Sequence, residues 1–284
     1  MNLAVTSAAH STPLDLRTDR SHASRHQLAF MDVRQGLRLL PLAWMLGWLD
    51  IRQRYRGSVL GPFWLTISNG VMVGALGFLY SRLFNTDIHD YLPFLALSQV
   101  LWGFIAGTVG ESCTAFTDAE SVIRSIRMPF SLFPMRLLIR NGLVLAHTIV
   151  VIIVVDCVYP VWPGWNALLS VPALLLWCLD SLAVTLLLGG FCARFRDVQP
   201  IVNSLMQIAF FITPVLWKPE QLGSAAGNLL IDPFFDLLAI VREPLLGGVP
   251  SLATWLCAIA YSLLLCTASW AFFVRARGRI AFWI

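Results

Sequence analysis

The chain has 284 residues, of which 57% are hydrophobic and only 13% are charged, and its mean hydropathy is +0.72. A soluble domain of this length carries far more surface charge, so the composition excludes a soluble protein and indicates an all-α polytopic membrane protein. The six cysteines lie in or beside apolar runs without a CxxC pair, which is typical of small hydrophobic residues in a bilayer.

Residues 1–36 are predicted to form a cytoplasmic, largely disordered tail. Its first thirty residues are rich in Ser, Thr, Ala and His and contain no apolar stretch as long as a signal peptide. His22 and His26 are spaced like two metal ligands on a helix. With no acid or Cys pair nearby, we expect the chain to bind no metal.

Residues 37–62 are predicted to form an amphipathic helix that lies on the cytoplasmic membrane face. Its aromatic and apolar residues recur at helical spacing on one face: Trp44, Trp48, Ile51 and Tyr55. The polar residues Asp50, Gln53 and Arg54 are expected on the opposite face. Gly57 and Gly61-Pro62 then provide a hinge before the first span. Two roles remain open here, a membrane anchor and a lever moved by a cytoplasmic partner.

Uncharged runs of near-bilayer length predict six membrane spans within a transmembrane domain at 63–275. The predicted spans are 64–83, 91–110, 137–158, 166–192, 198–217 and 252–274. The third is the weakest, because Arg140 lies near its start and Asp156 near its end.

The basic residues predict the orientation of these spans. Seventeen of the twenty fall on one side, namely in the N-terminal segment, in or next to the loops after spans two and four, and in the C-terminal segment that begins at Arg275. The other three are Arg82, Lys218 and Arg242. The positive-inside rule therefore places both termini in the cytoplasm. Between spans five and six, residues 229–241 are too short to cross a bilayer and too apolar for an exposed loop. A re-entrant helical hairpin on the outer face is predicted there.

Asp180 lies near the middle of the fourth span, where an ionised carboxylate costs about 2.5–3.5 kcal/mol. We expect this side chain to face protein or a polar cavity, either as a channel-lining or dimer-contact residue or as a packing residue. Two glycine pairs, Gly70/Gly74 and Gly103/Gly107, have the spacing that lets helix backbones approach closely, within one subunit or across a dimer.

No Walker A loop occurs in the sequence, so the chain cannot hydrolyse ATP by a P-loop mechanism. Recognisable catalytic triads, HExxH motifs and paired carboxylates are also missing from it. The chain is therefore predicted not to be an enzyme and to carry no cofactor of its own. If its function is energised, a partner supplies the energy.

Four segments together resemble one family. They are RYRGSVLGPFW at 54–64, DAESVIRSIRMPFSLFP at 118–134, RDV at 196–198 leading to TPVLW at 213–217, and the pair Asp232-Pro233 followed by Val241-Arg242. Over about residues 43–274 they are similar to the ABC-2-type permeases that export polysaccharides such as O-antigen, capsule and teichoic acid. Asn-Pro is more usual than Asp-Pro at the start of the outer hairpin.

The resemblance implies a homodimer in the bacterial inner membrane that associates with two copies of a separate ATP-binding subunit, which would hold ATP and Mg²⁺. The complex would move a lipid-linked glycan, and nucleic acid is not expected as a partner. The implied ATPase-docking residues are Ser121, Arg124, Arg127, Met128 and Pro129. The implied substrate path comprises a gate segment and an outer aromatic set: Trp44, Trp48, Arg52, Arg54, Tyr55 and Arg56, with Tyr80, Phe84, Phe210, Phe211 and Trp217.

Two other classes compete with this interpretation. The first is an ABC-2 permease for a small hydrophobic drug or lipid, whose members usually lack the basic gate segment. The second is a membrane transferase acting on a polyprenyl-linked sugar. An enzyme would need acids or histidines converging at one membrane face, but Asp180, Glu111 and His147 lie on three different predicted spans.

Overall fold

The computed structural model describes residues 22–61 and 63–284, and helix is the dominant secondary structure of this part of the chain. Eleven α-helices follow in order: α1 (His22–Arg38), α2 (Leu40–Arg54), α3 (Phe63–Leu83), α4 (Ile88–Ser112), α5 (Glu120–Ser125), α6 (Leu132–Val158), α7 (Ser170–Arg194), α8 (Val198–Ile212), α9 (Pro233–Leu245), α10 (Leu252–Ala276) and α11 (Ile280–Trp283). Two 3₁₀ segments, Gly164–Leu169 and Pro219–Ile231, precede α7 and α9.

Among the described residues, five helical segments are long and apolar enough to cross a membrane, namely α3, α4, α6, α10 and the continuous stretch Gly164–Arg194 that contains α7. They coincide with five of the six predicted spans. Helix α4 is the central one, because 72% of its most apolar window is buried, against 11% to 33% in the other four. It packs against α3, α6, α7, α8 and α9, which surround it.

The predicted span at 198–217 differs from the structure, in which α8 has only 15 residues and ends at Ile212. Thr213 has an extended backbone with ψ of 137°, as expected for a residue that precedes a proline. Pro214 also lacks the N–H that would continue the helix. At about 1.5 Å per residue, α8 is therefore about 22 Å long, which is short of the bilayer core.

The predicted outer segment, between α8 and α10, consists of the 3₁₀ segment Pro219–Ile231 followed by α9. Asp232 caps α9 by accepting a hydrogen bond from the Phe234 N–H at 3.0 Å, and its other oxygen accepts one from the Thr213 hydroxyl at 2.6 Å. Helix α9 is deeply buried among α4, α7 and α10, with Leu238 and Ile240 fully inaccessible.

Arg242, near the end of α9, is one of the largest fully buried side chains of the described residues. Its guanidinium donates to the Ser98 hydroxyl at 2.9 Å and to the Pro214 carbonyl at 2.6 Å, and lies 4.4 Å from the centre of the Phe94 ring. A buried arginine is tolerated only when such partners replace water. Arg242 therefore fixes α9 to α4 and to the break after α8.

The predicted disorder of residues 1–36 is wrong for 22–36, which belong to α1, while 1–21 lie outside the described residues. Asp32 of α1 is 1% exposed and accepts hydrogen bonds from the backbone N–H groups of Phe130 and Ser131, at 3.2 and 3.0 Å. Arg277 donates to the same carboxylate at 2.8 Å. These tertiary partners stabilise a helix whose composition alone suggests a flexible tail.

The predicted close-approach glycines are not in tight contact within this chain. A Cβ atom at Gly74, Gly103 or Gly107 would meet nothing within 4 Å. Other glycines do approach a neighbouring helix closely, and one of them is Gly47 of α2, where a Cβ would lie 3.0 Å from both the Arg136 carbonyl oxygen and the Ile139 side chain of α6.

We expect Gly47→Leu to push α2 away from α6 and to lower the free energy of unfolding by about 1–3 kcal/mol, because the added side chain has no space. Gly74→Leu is the matched control, since the same change there meets open space. Thermal unfolding of both purified variants measures the difference. Equal stability of the two would contradict the α2–α6 contact.

Candidate functional site

Helix α2 rests on α6 through its small and apolar residues Ala43, Gly47 and Ile51. Trp44 and Trp48 lie beside this seam and are about half exposed, at 55% and 48%. The predicted single aromatic face is therefore split, with Ile51 against protein and the two tryptophans directed outward. Two exposed tryptophans on a helix at the end of a transmembrane domain are typical of the membrane interface.

Asp50 is predicted on the face of α2 opposite the aromatic residues, and in the structure its carboxylate is on the side that packs against α6 while Trp44 and Trp48 are exposed. Its carboxylate faces α6 and accepts two hydrogen bonds from Arg136, from Nε at 2.7 Å and from Nη2 at 2.5 Å. A bidentate arginine–carboxylate pair combines charge with fixed geometry. The acidic residue thus belongs to the α2–α6 contact rather than to the solvent.

Glu111, at the end of α4, joins the same contact. One of its oxygens accepts from Arg54 of α2 at 2.8 Å, and the other accepts from Arg140 of α6 at 2.7 Å. Arg140 also lies 3.9 Å from Asp50. We call these five side chains, Asp50, Arg54, Glu111, Arg136 and Arg140, the α2 charge network. It ties three helices together with three positive and two negative charges.

The remaining basic residues of the gate segment are not part of this network. Arg52 and Arg56 are exposed and form no ion pair with another described residue. Tyr55, at the C-terminus of α2, is half-buried. The network therefore fixes the helix while leaving two cations and an aromatic ring near its end accessible to a ligand.

A turn connects α2 to α3 across residues 55–61, and Pro62 of the predicted hinge lies outside the described residues. Gly57 and Gly61 have φ values of 85° and 55°, a backbone conformation that glycine adopts without strain. The Ser58 hydroxyl accepts a hydrogen bond from the Gly61 N–H at 3.1 Å. The two glycines allow the chain to reverse sharply between α2 and α3.

A polar groove of about 440 Å³ begins at the α2 charge network and continues between α3, α4 and α6. Arg54 and Glu111 lie at one end of it. Its walls carry hydroxyl and amide side chains: Ser68, Asn69, Gln99, Asn141 and Thr148. Gly103 and Gly107 line it too, and their missing side chains keep it open. The buried Gln99 Oε1 has no hydrogen-bond partner among the described residues.

The outer aromatic set collects at the opposite end of α3, about 30 Å from its start. Four of its five members pack on one cluster built around Tyr91, Phe94, Leu95 and Leu216: Tyr80, Phe84, Phe210 and Trp217. The Tyr80 and Phe84 rings stack at 5.4 Å. Phe211 is 61% exposed, with its ring 5.2 Å from that of Phe210, and its carbonyl accepts a hydrogen bond from the Trp217 indole N–H at 3.2 Å.

The predicted docking residues lie on or just after α5. Ser121, Arg124 and Arg127 are exposed, Met128 is half-buried and Pro129 is buried. Arg124 pairs with Glu120 at 2.9 Å and donates to the Ile284 carbonyl at 2.5 Å. The hydrogen bonds from the Phe130 and Ser131 backbone to Asp32 hold the end of this loop. The structure therefore presents a short exposed helix on a rigid base.

Asp180 is buried between α7 and α10, at 7% exposure, and accepts a hydrogen bond from the Ser262 hydroxyl at 2.7 Å. The neighbouring hydroxyls of Ser181 and Thr185 donate to backbone carbonyls of their own helix instead. Asp180 lies in a different cavity from the polar groove.

Sequence reasoning missed several of these residues. Glu111 stood out only as an isolated charge, because its partners are 57 and 29 positions away in the chain. Asp32 seemed part of a disordered tail. The polar step Ser68-Asn69 in an otherwise apolar span was the visible signal for the groove, and Gln99 with Asn141 on neighbouring spans repeats it.

The comparisons with known proteins agree with this architecture. The family model described as ABC-2 type transporter matches residues 41–246. An O-antigen export system permease protein from Myxococcus xanthus is 25% identical over 192 residues, which cover 66% of this chain and 74% of the relative. A permease of the same description from Klebsiella pneumoniae is 23% identical over 203 residues, covering 70% of this chain and 78% of the relative.

We expect Glu111→Gln to destabilise the protein by about 1–3 kcal/mol and to increase hydrogen exchange at the C-terminal end of α2, because Arg54 and Arg140 lose their shared anion. Glu120→Gln is the control. Its pair with Arg124 is exposed, and its loss should cost less than about 1 kcal/mol. If α2 exchanges equally slowly in both variants, the charge network does not hold it.

Proposed function

Because the chain belongs to the ABC-2 type transporter family, we propose that it is the membrane subunit of a transporter that exports a lipid-linked polysaccharide such as O-antigen. The observation that carries this proposal is the agreement between the family match over 41–246 and the relatives described as O-antigen export permeases. The polar groove and the gate-segment cations fit such a substrate, since a glycan offers hydroxyls and its lipid carrier offers phosphates.

The chain contains no nucleotide-binding motif, so the ATPase is a separate subunit in this proposal. Helix α5 and its loop dock that subunit. A short exposed helix transmits force to the membrane domain only when the residues next to it are fixed. The hydrogen bonds from the Phe130 and Ser131 backbone to Asp32 fix the end of this loop. Two copies of the permease and two of the ATPase form the complex, in the bacterial inner membrane.

We assign the topology accordingly. Helix α8 together with the turn that follows it supplies the fifth of six crossings, and the Pro219–Ile231 segment with α9 forms an outer hairpin that enters the membrane and returns. Both termini are cytoplasmic. This arrangement follows from the charge distribution, and it suits the burial of α9 among α4, α7 and α10.

The proposed substrate path begins at the gate segment. Arg52 and Arg56 bind the pyrophosphate of the lipid carrier, since cationic donors at headgroup depth attract phosphate. Tyr55 offers an aromatic face to the first sugar ring. The groove then presents amide and hydroxyl groups along α3, α4 and α6, and the exposed outer aromatic Phe211 contacts sugar near the far side.

The exposed basic residues of the docking loop should be required for ATPase binding. We expect Arg124→Glu/Arg127→Glu to release the ATPase on detergent purification while the permease still inserts into the membrane. In this proposal the two arginines pair with acidic residues of the ATPase, and reversed charges would repel those residues. The control is Arg34→Glu/Arg38→Glu, the same charge change at exposed positions of α1. A stoichiometric, export-competent complex from the α5 variant would reject this docking site.

The gate segment allows a sharper test, because one of its arginines is paired and another is free. We expect Arg52→Gln and Tyr55→Leu to keep expression, stability and ATPase binding but to lose most glycan export, since both residues contact substrate in this proposal. Arg54→Gln should lower export together with stability, because it also breaks the pair with Glu111. Export of labelled glycan and ATP turnover of the reconstituted complex separate these effects.

In the substrate-contact variants, ATP turnover should continue without transport. Normal export by both Arg52→Gln and Tyr55→Leu would reduce the gate segment to a membrane anchor and remove the proposed entrance.

A further inference from the structure

A second cavity, of about 300 Å³, lies among α4, α7, α9 and α10. Small-molecule sites in proteins begin at about this volume. Its walls are mainly apolar and include the rings of Phe104, Trp177 and Phe234, and no lysine, arginine or histidine occurs among the described residues that line it. Leu264 is also a lining residue and is 69% exposed, so the cavity is open at the exposed side of α10.

Asp180 supplies the acceptor of this cavity. Its Oδ2 accepts from Ser262, but its Oδ1 is buried and has no hydrogen-bond partner among the described residues. Two other hydroxyls of the lining donate elsewhere, Ser181 to the Trp177 carbonyl and Tyr261 to the carbonyls of Leu230 and Ile231, and the Thr108 hydroxyl accepts from the Asn141 amide. An unpartnered carboxylate oxygen in an apolar cavity is costly, and a ligand that satisfies it gains that energy.

We propose that this cavity binds a lipophilic amine whose protonated nitrogen donates to Asp180 Oδ1 and whose hydrocarbon part fills the space beside it. The ammonium neutralises the carboxylate and completes its hydrogen bonding in one contact. Aromatic rings suit the same cation, and the Phe104 and Trp177 rings stack here at 5.7 Å and 8°. A neutral hydrocarbon would leave Oδ1 unsatisfied, and an anion would be repelled.

The position of the cavity gives such a ligand a mechanical effect. Phe234 and Leu237 of α9 form one wall, and Tyr261 of α10 forms another. An occupant therefore joins the outer segment to α4, α7 and α10 at once. Phe104 lines both this cavity and the polar groove, but Asp180 lines only this cavity, and its ligand need not be the transported substrate.

The test uses the full chain in phosphatidylcholine nanodiscs, with thermal unfolding followed during titration with n-octylamine or n-octanol. Both probes enter the bilayer, but only the amine carries a charge. We expect octylamine to reach half-maximal stabilisation at a concentration about tenfold lower than octanol. Asp180→Asn should abolish this preference. Asp156→Asn, the same change in a residue outside the cavity, should retain it.

Val184→Phe provides a second variant, because Val184 lines the cavity and a larger side chain there occupies it. Stabilisation by octylamine should disappear in this variant even if Asp180→Asn fails to fold. Equal potency of amine and alcohol on the wild-type protein would overturn the proposal. An amine preference that survives in Asp180→Asn or in Val184→Phe would also overturn it. The same holds if the wild-type protein does not respond to the amine and Asp180→Asn changes the protein from dimer to monomer.

Discussion

Charges at the edge of an apolar transmembrane domain must find partners, and in this protein that requirement positions helix α2. The Arg140 side chain is only 16% exposed, and its shorter ion pair, at 2.7 Å, is the one with Glu111. Glu111 in turn holds Arg54, while Asp50 holds Arg136. Removing one member leaves an uncompensated charge in poor contact with water, which costs more than the intact pair contributes. Helix α2 is therefore held in one position by α4 and α6. Arg52, near its C-terminus, and Arg56, just after it, remain exposed.

The helices themselves were predictable because a membrane imposes length and apolarity on each of them. Five spans were located to within a few residues by that rule alone. The break after α8 has a local signal in the sequence, the Thr213-Pro214 pair. The predicted span ran through this pair because the residues on both sides of it are apolar. Helix α1 carried no such signal, since Asp32 meets Phe130, Ser131 and Arg277 only in the folded chain.

Side-chain roles were less predictable than helices for the same reason. A helical pattern states which residues share a face, but not which face meets protein. Asp50 seemed to point to solvent because carboxylates usually do. Its partner Arg136 lies 86 positions away, and no local pattern reports such a pairing. The glycine pairs show that a local pattern can also suggest a contact that is not made. The spacing of Gly103 and Gly107 suits close helix packing, but both residues line the polar groove and leave it open.

Helix α4 is fastened at its C-terminal end and in its N-terminal half, and this limits where the protein can move. Glu111 joins it to α2 and α6, while Ser98 and Phe94 hold Arg242 of α9. Helix α3 is the contrast, with only 11% of its apolar window buried and two glycines of positive φ before it. It forms one wall of the groove through Ser68 and Asn69. A shift of α3 alone changes the width of the groove and leaves both fastenings of α4 intact, whereas any motion of α2 relative to α4 must first break the pair between Arg54 and Glu111.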